Sequence, residues 1–198
     1  ASKGFSRFAN LLAANASLRL SWEASSPVIG AMTLEGLLRE MSVGEIMELI
    51  EITLEGLPAS EIHPLSDIAA DVLRGTTEMY QAIGYQPPWV GYLALVNGDC
   101  VGTCAFKGPP VDGRVEIAYF TFPGNEGRGI AIEMAKHLVE KALADPQPVR
   151  ICAQTLPERN SSTRILEKIG FERIAELDHP EDGKVWEWEW KGSKGKSC

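Results

Sequence analysis

Apolar positions follow two different periods along this chain, and the change falls near residue 89. From Thr33 to Gly84 the segments "TLEGLLREM", "SVGEIMELIEITLEGL" and "PLSDIAADVLRGTTEMYQAIG" carry apolar residues at three- and four-residue spacing, which predicts helices. Ser42 with Glu45 has the spacing of a capping box for the second helix. Ser66 or Pro64 starts the third. Before Thr33 the pattern is weak, although "SLRLSW" fits a first strand. After "GYQPPW" the period becomes two. Trp89–Val96, the turn "NGD" and Val101–Phe106 predict a hairpin, and "VEIAYFTF" a further strand. A helix to about Ala144 follows, with Ala131, Met134, Ala135, Leu138 and Ala142 on one face. "VRICAQTL" reads as a buried strand, and "PERNSSTRILEKIGF" as a loop and short helix capped by Gly170. "ERIAELDH" and "VWEWEW" make a closing hairpin whose Trp186, Trp188 and Trp190 share a face. Helices, three strands, helix, strand, helix and two strands together predict one α/β domain with a mixed sheet flanked by helices.

Composition narrows the function classes. The 198 residues suffice for one domain with a real core, and 44% apolar with 23% charged residues is ordinary for a globular protein. A net charge of −8, from 27 acids and 19 bases, argues against a nucleic-acid partner, whose phosphates need clustered Lys and Arg. It suits a cationic substrate such as an amine. Cys100, Cys104, Cys152 and Cys198 form no CxxC pair, so neither a metal site nor a disulfide framework is expected. No apolar run is long enough to span a bilayer, and the amino end lacks the core of a signal peptide. A cytoplasmic protein without a membrane partner is the expectation, with "KGSKGKSC" as a polar tail.

The stretch with the clearest candidate chemistry is "FPGNEGRGIA", Phe122–Ala131, between a strand and a helix. Successive backbone N–H groups at such a junction are presented to an anion, and the helix dipole favours negative charge there. Alternatively, Gly124, Gly127 and Gly129 merely supply unusual φ angles in a connection. Neither GxxxxGK[ST] nor GxGxxG is present.

The order of elements and two motifs resemble the GNAT superfamily of acetyl-CoA-dependent N-acetyltransferases. Glu126-Gly127-Arg128-Gly129-Ile130-Ala131 aligns with the family's pyrophosphate loop, [QR]-x-x-G-x-[GA]. "VEIAYFTFP" is similar to the family's "EIGYWLxP", and "RNSSTRILEKIGF" to its "NxASxRVLEKLGF" near the pantetheine arm. The resemblance covers Trp89 to Trp190; the first 88 residues share only helical character. It implies a poorly defined segment over 1–26, a GNAT-like domain over 27–191 and a polar tail over 192–198, with acetyl-CoA as cosubstrate and no metal. Glu126 stands where the family has Gln or Arg, placing a negative charge beside a pyrophosphate, which Arg128 offsets in part. The expectation is weakened cofactor binding.

Acetyl transfer to an amine needs a base, a polarised thioester carbonyl and a leaving thiolate. The resemblance points to Glu116 as base, on one strand face with Ala118, Phe120 and Phe122. An acid paired with Arg114 or Lys107 is the alternative for it. For the oxyanion and the acetyl end of the cofactor, the resemblance implies the main chain of Phe120, Thr121 and Phe122. Asn160 and Ser162 are expected at the pantetheine or as helix caps. Leu166 occupies the place of a Tyr that many family members use to protonate the thiolate. Ser162, one helical turn earlier, is the substitute donor. Tyr119 is a poorer one, because its side chain points away from Glu116. His63, His137 and His179 are read as loop, helix-surface and turn residues. The leading expectation is therefore an N-acetyltransferase acting on a small-molecule or peptide amine. A non-catalytic acyl-CoA-binding regulatory domain is the second, and an α/β interaction domain with structural glycines the third. A homodimer is compatible with the sequence, the Trp-rich last strand being one place for its contact.

Overall fold

In the computed structural model residues 46–180 and 182–192 are described, and the expected "SLRLSW" strand, "TLEGLLREM" helix and Ser42 cap lie outside them. The most local pairing of the sheet is a hairpin. Strands β2 (Gly91–Val96) and β3 (Asp99–Phe106) are antiparallel around Asn97 and Gly98. Both turn residues have positive φ, 53° and 87°, the backbone of a type I′ turn that Asn-Gly adopts at low cost. β4 (Arg114–Thr121) adds antiparallel to β3.

On the other side of β2 lies β1 (Met47–Glu51), where a helix was expected over "SVGEIMELIEITLEGL". "MELIEIT" satisfies both apolar periods, and its Ile50, Ile52 and Thr53 are β-branched. The open edge of β2 decides between them, since pairing from Met47↔Val96 to Glu51↔Tyr92 satisfies both backbones. The expected third helix is present as α1 (Asp67–Ile83), with the Ser66 side chain accepting from the Ala69 N–H at 3.2 Å. Tyr80 ties α1 to the sheet: its buried hydroxyl donates to the Ile52 carbonyl at 2.9 Å and accepts from the Gly91 N–H at 2.8 Å.

Four further elements complete the fold. They are α2 (Ile130–Leu143), β5 (Arg150–Thr155), α3 (Ser161–Ile169) and the hairpin β6 (Phe171–His179)–β7 (Gly183–Trp190). Ile130, Met134, Ala135, Leu138, Val139 and Ala142 bury the apolar face of α2 against β3 and β4. Gly102 lets it come close, because a Cβ there would lie 3.1 Å from Met134 and 2.7 Å from the Phe120 carbonyl oxygen. The order across the seven strands is β1-β2-β3-β4-β5-β7-β6, mixed only at the parallel β4–β5 pair. β7 is thus interior, and Trp188 is buried with its Nε1 donating to Thr155 Oγ1 at 3.0 Å. Trp190 donates to the Ile169 carbonyl at 3.0 Å, which puts the Trp face on the α3 side of the sheet. A dimer contact through this strand would have to use a face, not an edge.

Candidate functional site

The parallel pairing of β4 and β5 lasts for three residue pairs and stops at Glu116↔Cys152. Beyond it β5 follows β7, from Cys152↔Glu189 to Thr155↔Trp186, while β4 follows β3 as far as Gly102↔Thr121. The two strands part, and a cleft of about 150 Å³ opens between them. Ile117, Ala118 and Tyr119 line it from β4; Ala153, Gln154 and Thr155 from β5; Asn160, Ser162 and Leu166 from α3. Lys107, Asp182 and Val185 line it as well.

Antiparallel alternation fixes which β4 amides face this cleft. The Lys107 N–H donates to the Glu116 carbonyl at 2.8 Å and the Phe122 N–H to the Val101 carbonyl at 2.9 Å, so even-numbered residues spend their backbone groups on β3. Those of Tyr119 and Thr121 point the other way, toward the gap, just past the Ile117 N–H that the last β4–β5 pair uses. Of the two amides expected around the oxyanion, that of Phe122 is therefore committed to the sheet and that of Thr121 faces the cleft. The Phe120 and Phe122 rings are buried edge to face, with centroids 5.7 Å apart.

The same alternation divides the side chains. Gly102 would aim a Cβ at Met134 of α2, so Thr121, its partner, lies on the α2–α3 side together with Tyr119 and Ile117. Glu116 lies on the opposite, α1 side, ion-paired with its cross-strand neighbour Lys107. That pairing is one of the two alternatives the sequence left open for Glu116. Arg114 on the same side pairs with the buried Glu187.

The glycine-rich turn sits at the α2 end of the cleft. Gly124, Gly127 and Gly129 have φ of 87°, 78° and 81°, and a Cβ on any of them would meet no protein atom within 4 Å. They are glycine for the backbone they allow, and the space above them is open. Gly129 is the N-cap of α2 and offers no side-chain acceptor. The Ile132 and Glu133 amides turn in to the Gly129 carbonyl at 3.0 and 3.2 Å. Among the described residues the N–H groups of Gly127, Gly129, Ile130 and Ala131 meet no acceptor. They form a cradle at the positive end of a 14-residue helix. Glu126 turns away from it: its Oε2 accepts from the Gly124 N–H at 2.8 Å, and Arg128 Nη1 donates to Asn125 Oδ1 at 2.8 Å.

Asn160 is the N-cap of α3, accepting from the Thr163 N–H at 3.1 Å while Thr163 Oγ1 accepts from the Asn160 N–H at 3.1 Å. Its side chain is committed to capping, at the rim of the cleft. Ser162 lines the cleft, and its carbonyl oxygen lies 3.5 Å from the Tyr119 hydroxyl. Burial pushes the Tyr119 phenol well above its ordinary value. Tyr119 points away from Glu116, as strand alternation led us to expect, and the same alternation delivers it to the α3 half of the cleft. Among the described residues no group of three or more His, Cys, Asp or Glu is arranged to hold a metal, and no helix is long and apolar enough to cross a membrane.

Comparison with known proteins agrees with this geometry. The chain matches the family described as Acetyltransferase (GNAT) domain over residues 38–172. It is 32% identical over 87 residues to an uncharacterized N-acetyltransferase, YjdG, of Bacillus subtilis (strain 168), covering 42% of this chain and 52% of that protein. The chain thus spans about half the length of the curated relative it matches. It is similar to the structure of RimL, a ribosomal alpha-N-protein acetyltransferase, with a TM-score of 0.54 and 14% identity over 72% of this chain and 88% of that one. A spermidine N-acetyltransferase SpeG chimera from Vibrio cholerae and hSSAT gives 0.53 and 11% identity over 73% and 94%. AAC(6')-Ib in complex with ribostamycin and coenzyme A gives 0.50 and 24% identity over 62% and 73%. At these identities the solved structures speak for the fold alone, a mixed sheet with helices on both faces. The family match spans more than half the sequence and contains both the amide cradle and the parted strands: the chain belongs to the GNAT acetyltransferase family.

Proposed function

We propose that the protein transfers an acetyl group from acetyl-CoA to a primary amine, by direct attack of the amine on the thioester. The observation that carries this reading is the set of acceptorless amides at Gly127, Gly129, Ile130 and Ala131, opening beside the gap between β4 and β5. Such a cradle suits a pyrophosphate, and the outward backbone groups of Tyr119 and Thr121 suit an extended, amide-bearing arm. The Thr121 N–H is the donor we assign to the developing oxyanion. Glu116, on the α1 side, is the base that takes a proton from the substrate's ammonium group and frees the lone pair that attacks. Its carboxylate is ion-paired with Lys107, which lines the cleft. No covalent intermediate on the protein is required.

The structural relatives include proteins whose names refer to spermidine or a ribosomal protein, and one bound to ribostamycin, so amines of small molecules or peptide N-termini are the acceptor class. Release of the coenzyme A thiol from acetyl-CoA, followed with a thiol reagent, tests the reading. The panel is an alkylamine, a polyamine, an aminoglycoside and short peptides with free N-termini. Release stimulated by at least one of them is expected, and its absence across the panel despite acetyl-CoA binding would count against transfer.

The Glu116–Lys107 ion pair also favours a second reading, a regulatory domain that binds acyl-CoA without turnover. Glu116→Gln separates the two. A transferase loses turnover and keeps acetyl-CoA affinity; a sensor has no turnover to lose.

A further inference from the structure

Acetyl transfer uses the cleft on one side of α3 and leaves a second cavity, of about 440 Å³, on the other. The two share no lining residue. Leu166 of α3 lines the cleft and Glu167 the second cavity, and the bond from Trp188 Nε1 to Thr155 Oγ1 closes the wall between them. The floor of the second cavity is aromatic: the Trp186 and Trp188 rings meet edge to face, with centroids 6.4 Å apart.

A bulge in β6 arranges what surrounds these rings. Arg173 is in register with Trp188 and Ala175 with Glu187, so Ile174 is an extra residue. In an unbroken strand Arg173 and Glu176, three apart, would project from opposite faces. The bulge puts both on the Trp side. Arg173 lies over the Trp186 ring, 4.6 Å from its centroid, and Glu176 accepts from Trp186 Nε1 at 3.2 Å. One indole is thus held through its face and its N–H, and the guanidinium is held with it.

The charges leave one cation over. Glu167 pairs with Arg159 at 3.8 Å and Glu176 with Lys184 at 3.5 Å. Glu172 is in register with Glu189 and projects from the opposite face. No carboxylate of the described residues pairs with Arg173. Its N–H donors form a flat fork matched to the two oxygens of a carboxylate, and the ring beneath supplies no oxygen to accept from them. An aromatic floor beside such a fork suits a small amphipathic anion, and the volume lies in the ~300–1,000 Å³ range of small-molecule pockets. We infer that the cavity behind α3 is a second ligand site, taking a planar aromatic carboxylate with its ring at the Trp186–Trp188 corner and its carboxylate on Arg173.

This inference goes beyond the acetyl-transfer reading and stands without it, since the test needs no turnover. Indole-3-acetate is titrated into the isotope-labelled full chain and followed by NMR at the five tryptophan indole N–H signals, that of Trp186 being assigned from Trp186→Phe. Saturable movement of the Trp186 signal is expected, with a Kd of about 1 mM or below. Indole-3-acetamide, which keeps the ring without the charge, should bind at least about fivefold more weakly, because a charge-assisted bond is lost. Arg173→Gln should weaken indole-3-acetate by a similar factor; Arg173 is exposed, so the variant should fold, and far-UV circular dichroism checks it. Saturating acetyl-CoA should leave the affinity within about threefold, as for two weakly coupled sites. No saturable movement up to about 10 mM, equal binding of the acetamide, an unaffected Arg173→Gln protein or an equal response to inorganic phosphate overturns the assignment. Displacement by acetyl-CoA would put the probe in the cleft and overturns it as well. A Trp186 signal that moves with protein concentration and not with the probe would give this face to a second copy of the chain, with the same consequence.

Discussion

Glu126 gives the sharpest test of the amide cradle, because its charge and its structural role can be separated. Its carboxylate accepts the Gly124 N–H at 2.8 Å, a bond that an amide oxygen can replace. Glu126→Gln therefore preserves the turn and deletes one negative charge near the proposed pyrophosphate site. Taking a separation of roughly 7 Å in a medium near ε ~80, as befits an exposed side chain, each charge pair costs ~0.6 kcal/mol and a dianion ~1.2. Screening over a Debye length of ~8 Å at physiological salt cuts this to ~0.5 kcal/mol, and over ~30 Å at 0.01 M to only ~0.9. The substitution should thus tighten acetyl-CoA about twofold at physiological salt and about fivefold at 0.01 M, read by calorimetry. Glu126→Ala, which removes the acceptor as well, should gain less because the turn loosens. Unchanged or weaker binding of the Gln variant at low salt would mean that Glu126 does not neighbour the phosphates, and the alignment of the loop would fall.

Other expectations concern stability. Tyr80→Phe orphans the Ile52 carbonyl and the Gly91 N–H in the core, at ~1–3 kcal/mol each, so urea unfolding should show a loss of about 2–6 kcal/mol; a loss under about 0.5 would refute the bridging role. Gly102→Ala would drive a Cβ to 2.7 Å from the Phe120 carbonyl oxygen, and a loss of about 1–3 kcal/mol should appear in the same assay. Burial raises the phenols of Tyr80, Tyr92 and Tyr119 above their ordinary value of 10.0. Below pH 10 this costs nothing. As pH rises past 10 the unfolded chain loses these protons while the folded chain keeps them, so the urea midpoint should fall progressively there; a flat profile would refute it.

The parts of the fold legible in the sequence are those set by local chemistry. Asn97-Gly98 dictates its turn, Ser66 and Gly170 mark helix ends, and the apolar stripe of α2 reads directly from its spacing. β1 was misread as helix because "MELIEIT" fits either period, and only the unpaired edge of β2, distant in sequence, settles it. The site divides the same way. Three glycines before an amphipathic helix announce the cradle, and Asn160 its cap. The parting of β4 from β5 has no local signature, since it arises from β5 pairing with β7 some 30 residues later. Without that gap, the outward backbone groups of Tyr119 and Thr121 cannot be read as a place for a ligand.

The central claim, that the backbone from Gly127 to Ala131 holds the pyrophosphate of acetyl-CoA, is tested most directly by comparing two ligands calorimetrically: acetyl-CoA, and acetyl-pantetheine, which has the same thioester arm but no pyrophosphate. Measurable binding of acetyl-CoA, with acetyl-pantetheine at least about tenfold weaker, is the predicted result, because the charge-assisted bonds to the amides are lost. Equal affinities, or no binding of acetyl-CoA at all, would contradict it.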